Sequence, residues 1–332
     1  MPEDTASADE ALIARAGAVR AALREELATR VVGQTAAIDQ MLTVLLAGGH
    51  ALLVGVPGLA KTLLVSTLAQ ALSLRFGRIQ FTPDLLPSDL IGGDVLEPEP
   101  DTGRHVARFI AGPVFVELLL ADEINRTPPK TQSALLQCMQ EREITIGGRT
   151  HTMARPFQVF ATQNPVEEEG TYPLPEAQLD RFLFKIDIGY PTDAEEEQIL
   201  ANVHAGFDSG DLDRAQLKAA VSQEQVLEAR RAMSSVDVEP EVLAYLRRLV
   251  AATRKSPRIR LGAGPRAAVH LLLAAKALAA LRGRPFVTPD DIRQLAGPVL
   301  KHRLLLSPDA ELDGATTTDV LTEVVNSIEV PR

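Results

Sequence analysis

Eight residues, GVPGLAKT at positions 55–62, follow the apolar run 51–54 and have the types and spacing of a phosphate-binding loop. Glycines let the backbone turn with its N–H groups pointing inward, and the helix that follows presents the positive end of its dipole to the same point. Lys61 can then reach the β- and γ-phosphates of a nucleotide, and the Thr62 hydroxyl can ligate Mg²⁺. The alternative is an ordinary turn rich in glycine and proline.

Ala60 departs from the usual G-x-x-x-x-G-K-[ST] pattern, since it replaces the second glycine. It lies where the loop enters the helix. Its N–H can therefore still face phosphate if its dihedral angles are helical.

Asp122 and Glu123 end the apolar run 118–121. Adjacent side chains at the end of a strand point apart, so the two carboxylates can do different work. Asp122 would hold Mg²⁺ through water, and Glu123 would orient and polarise an attacking water. The alternative is an acidic junction between a strand and a loop.

Three further residues could complete such a site. Asn164 ends another predicted strand, and its neutral amide could hold the attacking water or the γ-phosphate, although an Asn-Pro turn also suits this position. Arg181 precedes the next strand, and Arg266 falls in the first turn of a later helix. A guanidinium can stabilise charge on a transferring phosphoryl group, yet each arginine taken alone is typical of a surface ion pair.

Composition limits the class of protein. A chain of 332 residues with 45% hydrophobic content favours two soluble domains, with no membrane-spanning segment and no secretory signal. The single cysteine, Cys138, excludes an internal disulfide, fits a reducing cytosol and is interpreted as a small buried residue of helix 131–140. Histidine and cysteine are too scattered for a zinc site.

The net charge of −10 is distributed unevenly. Residues 1–240 carry 20 basic against 35 acidic side chains, residues 241–303 carry 13 against 3, and residues 304–332 carry 1 against 6. The basic segment could bind nucleotide phosphate or nucleic acid, meet the acidic face of a second copy, or simply form solvated helix faces.

Strands and helices alternate in the first part of the chain. Helices are predicted at 8–29, 36–47, 62–74 and 131–141, and core strands at 51–54, 78–81, 114–120, 157–161 and 182–188. Hairpins are predicted within 89–112, with its tip at Asp101-Thr102-Gly103, and around Gly147-Gly148. This order predicts a doubly wound α/β domain with a parallel sheet. Beyond a boundary near residue 191 the pattern predicts helices alone, at 193–202, 223–233, 240–255, 265–281 and 288–304.

The motifs in this order resemble those of AAA+ ATPases, and more narrowly those of the MoxR family. The sequence segments that carry the resemblance are GVPGLAKT, LLLADEINRTPPKTQSALLQCMQER, FATQNPVEEEGTYPLPEAQLDRFLF and VLKHRL. The resemblance runs from Val32 to the end of the chain, and alanine at position 60 is itself usual in the family. It implies an AAA+ core over residues 1–191, with hairpin inserts near 89–112 and 142–157, and a helical lid over 192–332.

The resemblance also implies roles for matching residues. Glu123, Asn164, Arg181 and Arg266 would be catalytic, with Arg181 acting on the ATP of a neighbouring subunit and Arg126 as a second candidate for a pocket arginine. Thr62 and Asp122 would hold Mg²⁺. ATP or ADP would contact Val32, Gly33, Gln34, Gly55, Pro57, Gly58, Leu59, Ala60, Lys61, Thr62, Leu63 and Arg266.

At the level of the assembly, the resemblance implies a ring, usually a hexamer, that remodels a protein client in the cytoplasm. The partner is often a protein with a von Willebrand factor A domain. Glu117 departs from the family pattern, and a carboxylate there is expected to affect a subunit contact or the base of a hairpin.

Two rival functions remain open from the residues. A nucleic-acid motor or loader would use the basic segment. Against it stand the acidic net charge, the 4% aromatic content and the absence of tryptophan, which leave few side chains on which bases could stack. The second rival function is a scaffold that binds ATP but scarcely hydrolyses it.

Overall fold

The structure is a computed structural model that describes residues 2–98, 105–166, 170–207 and 220–331. Its helices are α1 (Pro2–Ala28), α2 (Thr35–Ala47), α3 (Lys61–Ala71), α4 (Pro87–Ile91), α5 (Pro129–Glu141), α6 (Glu176–Leu179), α7 (Asp193–His204), α8 (Gln223–Ala232), α9 (Pro240–Thr253), α10 (Pro265–Leu281), α11 (Pro289–Leu300), α12 (Pro308–Leu312) and α13 (Thr317–Asn326). Its strands are β1 (Ala51–Val54), β2 (Phe76–Gln80), β3 (Gly92–Pro98), β4 (His105–Ala111), β5 (Leu118–Asp122), β6 (Glu143–Ile146), β7 (Arg149–Thr152), β8 (Gln158–Gln163), β9 (Phe184–Asp187), β10 (Ile259–Leu261) and β11 (Leu305–Leu306).

Five strands form one parallel sheet in the order β2-β5-β8-β1-β9. The central strands β5 and β8 are buried almost throughout, as expected for strands covered by helices on both faces. The predicted parallel α/β core is therefore confirmed. All carboxyl ends of these strands meet at one edge of the sheet, where the loop after β1 and the residues after β5 and β8 lie.

The predicted strand 114–120 has wrong bounds, because β5 begins only at Leu118. Val114 is fully buried but lies in a turn, where it packs in the cluster that includes Phe81 and Leu90. Its apolar character therefore reflects packing beneath a hairpin rather than pairing in the sheet.

Two hairpins project from the core near the predicted positions. β3 pairs with β4 and β6 pairs with β7, both antiparallel, while the predicted tip at 101–103 lies outside the described residues. The hairpins contact each other, since the Phe109 ring stacks on His151 with centroids 3.8 Å apart. Gly147, in the turn of the second hairpin, approaches Asp94 so closely that a Cβ there would meet its carboxylate.

The described C-terminal part is helical, as predicted, apart from the short antiparallel strands β10 and β11. Several of its helices begin at a Ser or Thr whose side chain accepts the N–H of the third helical residue, as at Thr192, Ser222 and Thr288. The helix predicted at 288–304 ends earlier, at Leu300, and continues as a 3₁₀ turn.

The predicted domain boundary near residue 191 falls between β9 and α7 and stays a prediction. One cluster of buried side chains extends across it, because α1 packs on α8 and α10 as well as on α2 and α3. Leu23 and Leu27 of α1 are buried in this shared cluster together with Leu271 and Leu278 of α10.

Cys138 is buried within α5, which confirms its predicted place in the core. Burial raises the pKa of its thiol to about 11, so the thiolate form is scarce at neutral pH. The carboxylate at position 117 is paired locally, since Glu117 accepts hydrogen bonds from the Arg75 side chain.

Candidate functional site: a nucleotide pocket at the carboxyl edge of the sheet

The loop between β1 and α3 has the backbone of a phosphate-binding loop. A Cβ at Gly55 would lie 2.7 Å from the Ile188 carbonyl oxygen, so glycine is required there. Gly58 has a φ of +86°, which favours glycine. The condition of helical angles at Ala60 is not met, because its φ of 56° and ψ of 23° are left-handed. The tight entry into α3 imposes this conformation, which costs an alanine about 1–2 kcal/mol.

Lys61 begins α3 and turns back over the loop. Its Nζ donates to the carbonyl oxygens of Gly55 at 2.5 Å and Val56 at 2.8 Å. The ammonium is therefore held directly above the loop in which a phosphate chain would lie. It carries the positive charge that the loop amides alone lack.

Asp122 ends β5 beside the first turn of α3. Its Oδ1 accepts a hydrogen bond from Thr162 Oγ1 at 2.6 Å, and its Oδ2 accepts one from Thr62 Oγ1 at 3.3 Å. A hydroxyl and one carboxylate suit Mg²⁺, which keeps several waters and few protein ligands. Within the described residues, no group of three or more His, Cys, Asp or Glu side chains is placed to hold a metal.

Glu123 follows directly and has a left-handed backbone, with φ 57° and ψ 50°. Its N–H donates to Thr162 Oγ1 at 2.8 Å, which fixes this turn against β8. Its Oε2 accepts hydrogen bonds from Gln80 Nε2 at 2.6 Å and from Arg126 Nη1 at 3.0 Å. Arg126 therefore forms an ion pair with the Glu123 carboxylate of its own chain.

Asn164 follows β8 at the same edge of the sheet and is 4% exposed. Its Oδ1 accepts the N–H of Val166 at 3.2 Å, as in the turn considered above for Asn-Pro. The turn and the pocket position are compatible, because the side chain also lines the cavity that contains Asp122 and Glu123.

These residues surround one open pocket of about 1010 Å³, a volume suited to a nucleotide. Predicted and unpredicted residues line it together: Arg30, Val31, Val32, Pro57, Gly58, Leu59, Ala60, Lys61, Thr62, Leu63, Ser66, Arg78, Gln80, Asp122, Glu123, Thr162, Asn164, Ile199, Asn202, Val203 and Phe207. Gly33 instead lines an adjoining pocket of about 480 Å³ that shares Val31 and Val32. Gln34 has a φ of 54° and donates from Nε2 to the Gly189 carbonyl oxygen at 2.9 Å.

Several lining residues were missed from the sequence, although some of them share a face of a strand or helix with another lining residue. Arg78 and Gln80 are two residues apart on β2, and Thr162 is two residues before Asn164, so each pair shares a face of the sheet. Ile199 and Val203 share one face of α7. Left-handed backbone is a second signal visible only in the structure, because Gln34, Ala60 and Glu123 all have positive φ.

Arg181 and Arg266 do not line this pocket. They lie at the amino end of the sheet in a separate pocket of about 240 Å³, together with Arg142 and His270. Arg266 Nη1 donates to Asp180 Oδ2 at 3.2 Å. The prediction that Arg266 contacts the nucleotide of its own chain is therefore not supported, since α10 packs on α1 and α2 and carries its first turn to the opposite end of the sheet.

Three buried histidines are held neutral, and two of them, His50 and His270, line this second pocket. Burial lowers the pKa of His50 to about 3 and that of His270 to about 4. Burial also places the pKa of His302 well below its usual value, and the Arg303 charge adds to this. The tautomer of His50 is fixed by contacts, because Nδ1 accepts the Val159 N–H at 3.0 Å while Nε2 lies 3.2 Å from the Met139 carbonyl oxygen.

Acidification from pH 7 to pH 5 is expected to destabilise the fold. The unfolded chain binds protons at these histidines below about pH 6.5, whereas the folded chain does not, so stability present above that pH is lost as pH falls towards the folded pKa values. Buried His50, with a folded pKa of about 3, should remove about 1–2 kcal/mol over this interval, and His302 should act in the same direction. Urea midpoints measured at both pH values check this. The exposed His105→Gln variant should show the same drop, and a midpoint independent of pH would contradict the assignment.

Comparison with known proteins agrees with this geometry. Residues 50–184 match the family model described as ATPase family associated with various cellular activities (AAA), and residues 251–324 match the AAA lid domain. The chain is 43% identical over 311 residues to Chaperone MoxR1 of Mycobacterium tuberculosis, which covers 91% of this chain and 80% of that protein. It is 32% identical over 331 residues to the protein MoxR of Methylorubrum extorquens, covering 94% and 95%.

A solved structure supports the same comparison. A crystal structure from Cytophaga hutchinsonii, provisionally described as that of an ATPase, has 40% sequence identity and a TM-score of 0.87, and the match covers 99% of both chains. Within the described residues, every helix is too short or too polar to cross a bilayer.

Proposed function

We propose, from the premise that this chain belongs to the MoxR family of AAA+ ATPases, that it hydrolyses ATP in the pocket between the loop 55–62 and the carboxyl ends of β5 and β8. One observation carries the proposal. Lys61, Thr62, Asp122, Glu123 and Asn164 come from three separate segments and line the same cavity. A lysine, a hydroxyl, two carboxylates and an amide in one cleft are the groups that hold a triphosphate and direct water at its terminal phosphorus.

Each group has a distinct task in this chemistry. Thr62 and Asp122 would hold Mg²⁺, which neutralises phosphate charge when bound. Glu123 would accept a proton from the attacking water, and Asn164 would orient that water or the γ-phosphate. Gln80 and Arg126 now bind the Glu123 carboxylate, so one of these hydrogen bonds must open before Glu123 can reach a water.

A ring of copies, taken to be a hexamer, completes the proposal. Asp180 pairs with Arg266 beside the second pocket, which Arg142 and Arg181 also line. The positive charge of this pocket suits the triphosphate of a neighbouring subunit, so Arg181, with Arg266 beside it, would complete the adjacent catalytic site. Hydrolysis then depends on assembly.

Mixing two inactive variants tests both hydrolysis and its dependence on a neighbour. Arg181→Ala and Glu123→Gln subunits should each lose at least about 100-fold of the steady-state phosphate release. An equal mixture forms intact sites where the first variant supplies Glu123 and the second supplies Arg181, at about a quarter of the interfaces. Phosphate release should therefore recover to a clear fraction of the unmodified rate.

A matched control uses Arg155→Ala in place of Arg181→Ala, since Arg155 lines neither pocket. That variant should remain active without mixing. Absence of any recovery in the Arg181→Ala mixture would count against action between subunits. Nucleotide binding without phosphate release from the unmodified chain would instead favour the scaffold.

The client of the proposed machine is a protein. Chaperone MoxR1 is a relative named for such work, and we propose a cytoplasmic partner with a von Willebrand factor A domain. Cross-linking of Glu123→Gln with ATP, followed by identification of the captured proteins, tests this. Recovery of nucleic acid rather than protein would contradict it.

The basic segment 241–303 gives the nucleic-acid alternative little support. Six of its 13 basic side chains form ion pairs within the described residues: Arg258 with Glu323, Arg266 with Asp180, Arg282 and Arg284 with Asp291, Lys301 with Asp187, and Arg303 with Asp180. Paired guanidinium groups are less available for phosphate contacts along a nucleic acid.

A further inference from the structure

Arg78 forms an ion pair in the nucleotide pocket that the proposed hydrolysis does not use. Its Nε and Nη2 donate to Asp122 Oδ2 at 3.2 and 2.8 Å. The Asp122 side chain is 9% exposed, whereas that of Arg78 is 50% exposed. A guanidinium with a free path to solvent is therefore attached to a buried carboxylate.

The oxygen that Arg78 binds is the one that faces the proposed magnesium ligands. Thr62 Oγ1 donates to this same Oδ2 at 3.3 Å, while Oδ1 is taken by Thr162 Oγ1 at 2.6 Å. An ion held by Thr62, and by Asp122 through water, must therefore use the side of the carboxylate that Arg78 occupies. Two cations a few ångströms apart repel each other, and both gain from the same negative charge.

We propose that Arg78 competes with Mg²⁺ for Asp122 and thereby sets the magnesium concentration at which nucleotide is loaded. The inference rests on the proposed binding of Mg·ATP by this pocket. Loading requires the guanidinium to leave Oδ2. Gln80 offers a second partner on the same face of β2, because its Oε1 already accepts from Arg78 Nη2 at 3.2 Å.

The competition has a directional consequence. Metal-free nucleotide leaves the ion pair between Arg78 and Asp122 intact, whereas Mg·nucleotide must break it. Arg78 therefore lowers the apparent affinity for magnesium without lowering the affinity for the phosphates themselves. Until the metal binds, Arg78 compensates the negative charge of Asp122, because a buried carboxylate requires a partner of opposite charge.

The test measures binding of a fluorescent ADP analogue over a series of Mg²⁺ concentrations. In Arg78→Gln, the half-maximal Mg²⁺ concentration should fall about three- to fivefold, the effect of removing one partly exposed ion pair. Affinity for the analogue without Mg²⁺, measured in EDTA, should stay within about twofold, and affinity at saturating Mg²⁺ should rise by the same three- to fivefold, because the two binding steps are linked. Arg78→Lys, which keeps the charge but loses the two-pronged contact, should shift the midpoint less.

Arg75→Gln is the matched control. Arg75 donates from Nε and Nη2 to Glu117 at 2.9 and 2.6 Å, so it makes the same kind of pair between the same two strands, at their amino ends. Its Mg²⁺ midpoint should not move.

An unchanged or raised midpoint in Arg78→Gln would overturn the inference. A uniform loss of ADP affinity at every Mg²⁺ concentration would also overturn it, because Arg78 would then bind phosphate. Failure of the unmodified chain to bind ADP at saturating Mg²⁺ is a separate outcome, which contradicts the proposed function instead.

Discussion

Lys61→Ala is expected to weaken binding of ATP and ADP by about 100-fold, which corresponds to about 3 kcal/mol. The ammonium is the only lysine charge lining the described part of the pocket, and the carbonyl oxygens of Gly55 and Val56 hold it in place. Alanine keeps the helical start of α3 but removes the charge. Calorimetric titration with ADP in the presence of Mg²⁺ measures the loss.

Lys130→Ala provides the comparison, because Lys130 is an exposed lysine at the start of α5, outside the pocket. Its ADP affinity should match that of the unmodified chain. Thermal unfolding of both variants separates lost contact from lost structure. If folded Lys61→Ala bound ADP within about threefold of normal, the loop 55–62 would not be the phosphate site.

Glu123→Gln is expected to lower kcat for ATP hydrolysis by about 10²- to 10⁴-fold while ATP affinity stays nearly constant. The amide has the shape of the carboxylate and tolerates the same left-handed backbone, but it cannot accept the proton of the attacking water. Single-turnover phosphate release, with separate measurement of ATP binding, distinguishes the two effects.

Glu141→Gln tests whether loss of a carboxylate elsewhere in the core has the same result. Glu141 ends α5 and accepts a hydrogen bond from Gln137 at an exposed position. It should retain full turnover. A kcat for Glu123→Gln within tenfold of normal would remove Glu123 from its proposed role.

Local patterns predicted the site where one segment supplies the chemistry. Residues 55–62 carry their own glycines and lysine, and Asp122 follows an apolar run long enough to indicate a central strand. Because parallel strands share one carboxyl edge, the order of the chain was enough to bring Lys61, Asp122 and Asn164 together.

The features that the structure places differently depend on packing between distant segments. The angles at Ala60 follow from how α3 docks on the sheet, and the position of Arg266 follows from the packing of α10 on α1 and α2. Neither of these packing arrangements produces a periodic sequence pattern near Ala60 or Arg266. Arg78 and Gln80 were missed for a related reason, since a polar residue on an edge strand is indistinguishable in sequence from a solvated one.

The packing of α1 bears on how this protein can be dissected. Ala16, Leu23 and Leu27 fill space between α10 and the helices that flank the phosphate loop. A fragment trimmed to start at β1 would expose the apolar stripe of α10 to water, and such stripes drive aggregation. Helix α1 thus belongs to the packed core of the nucleotide-binding unit, and truncated variants should retain it.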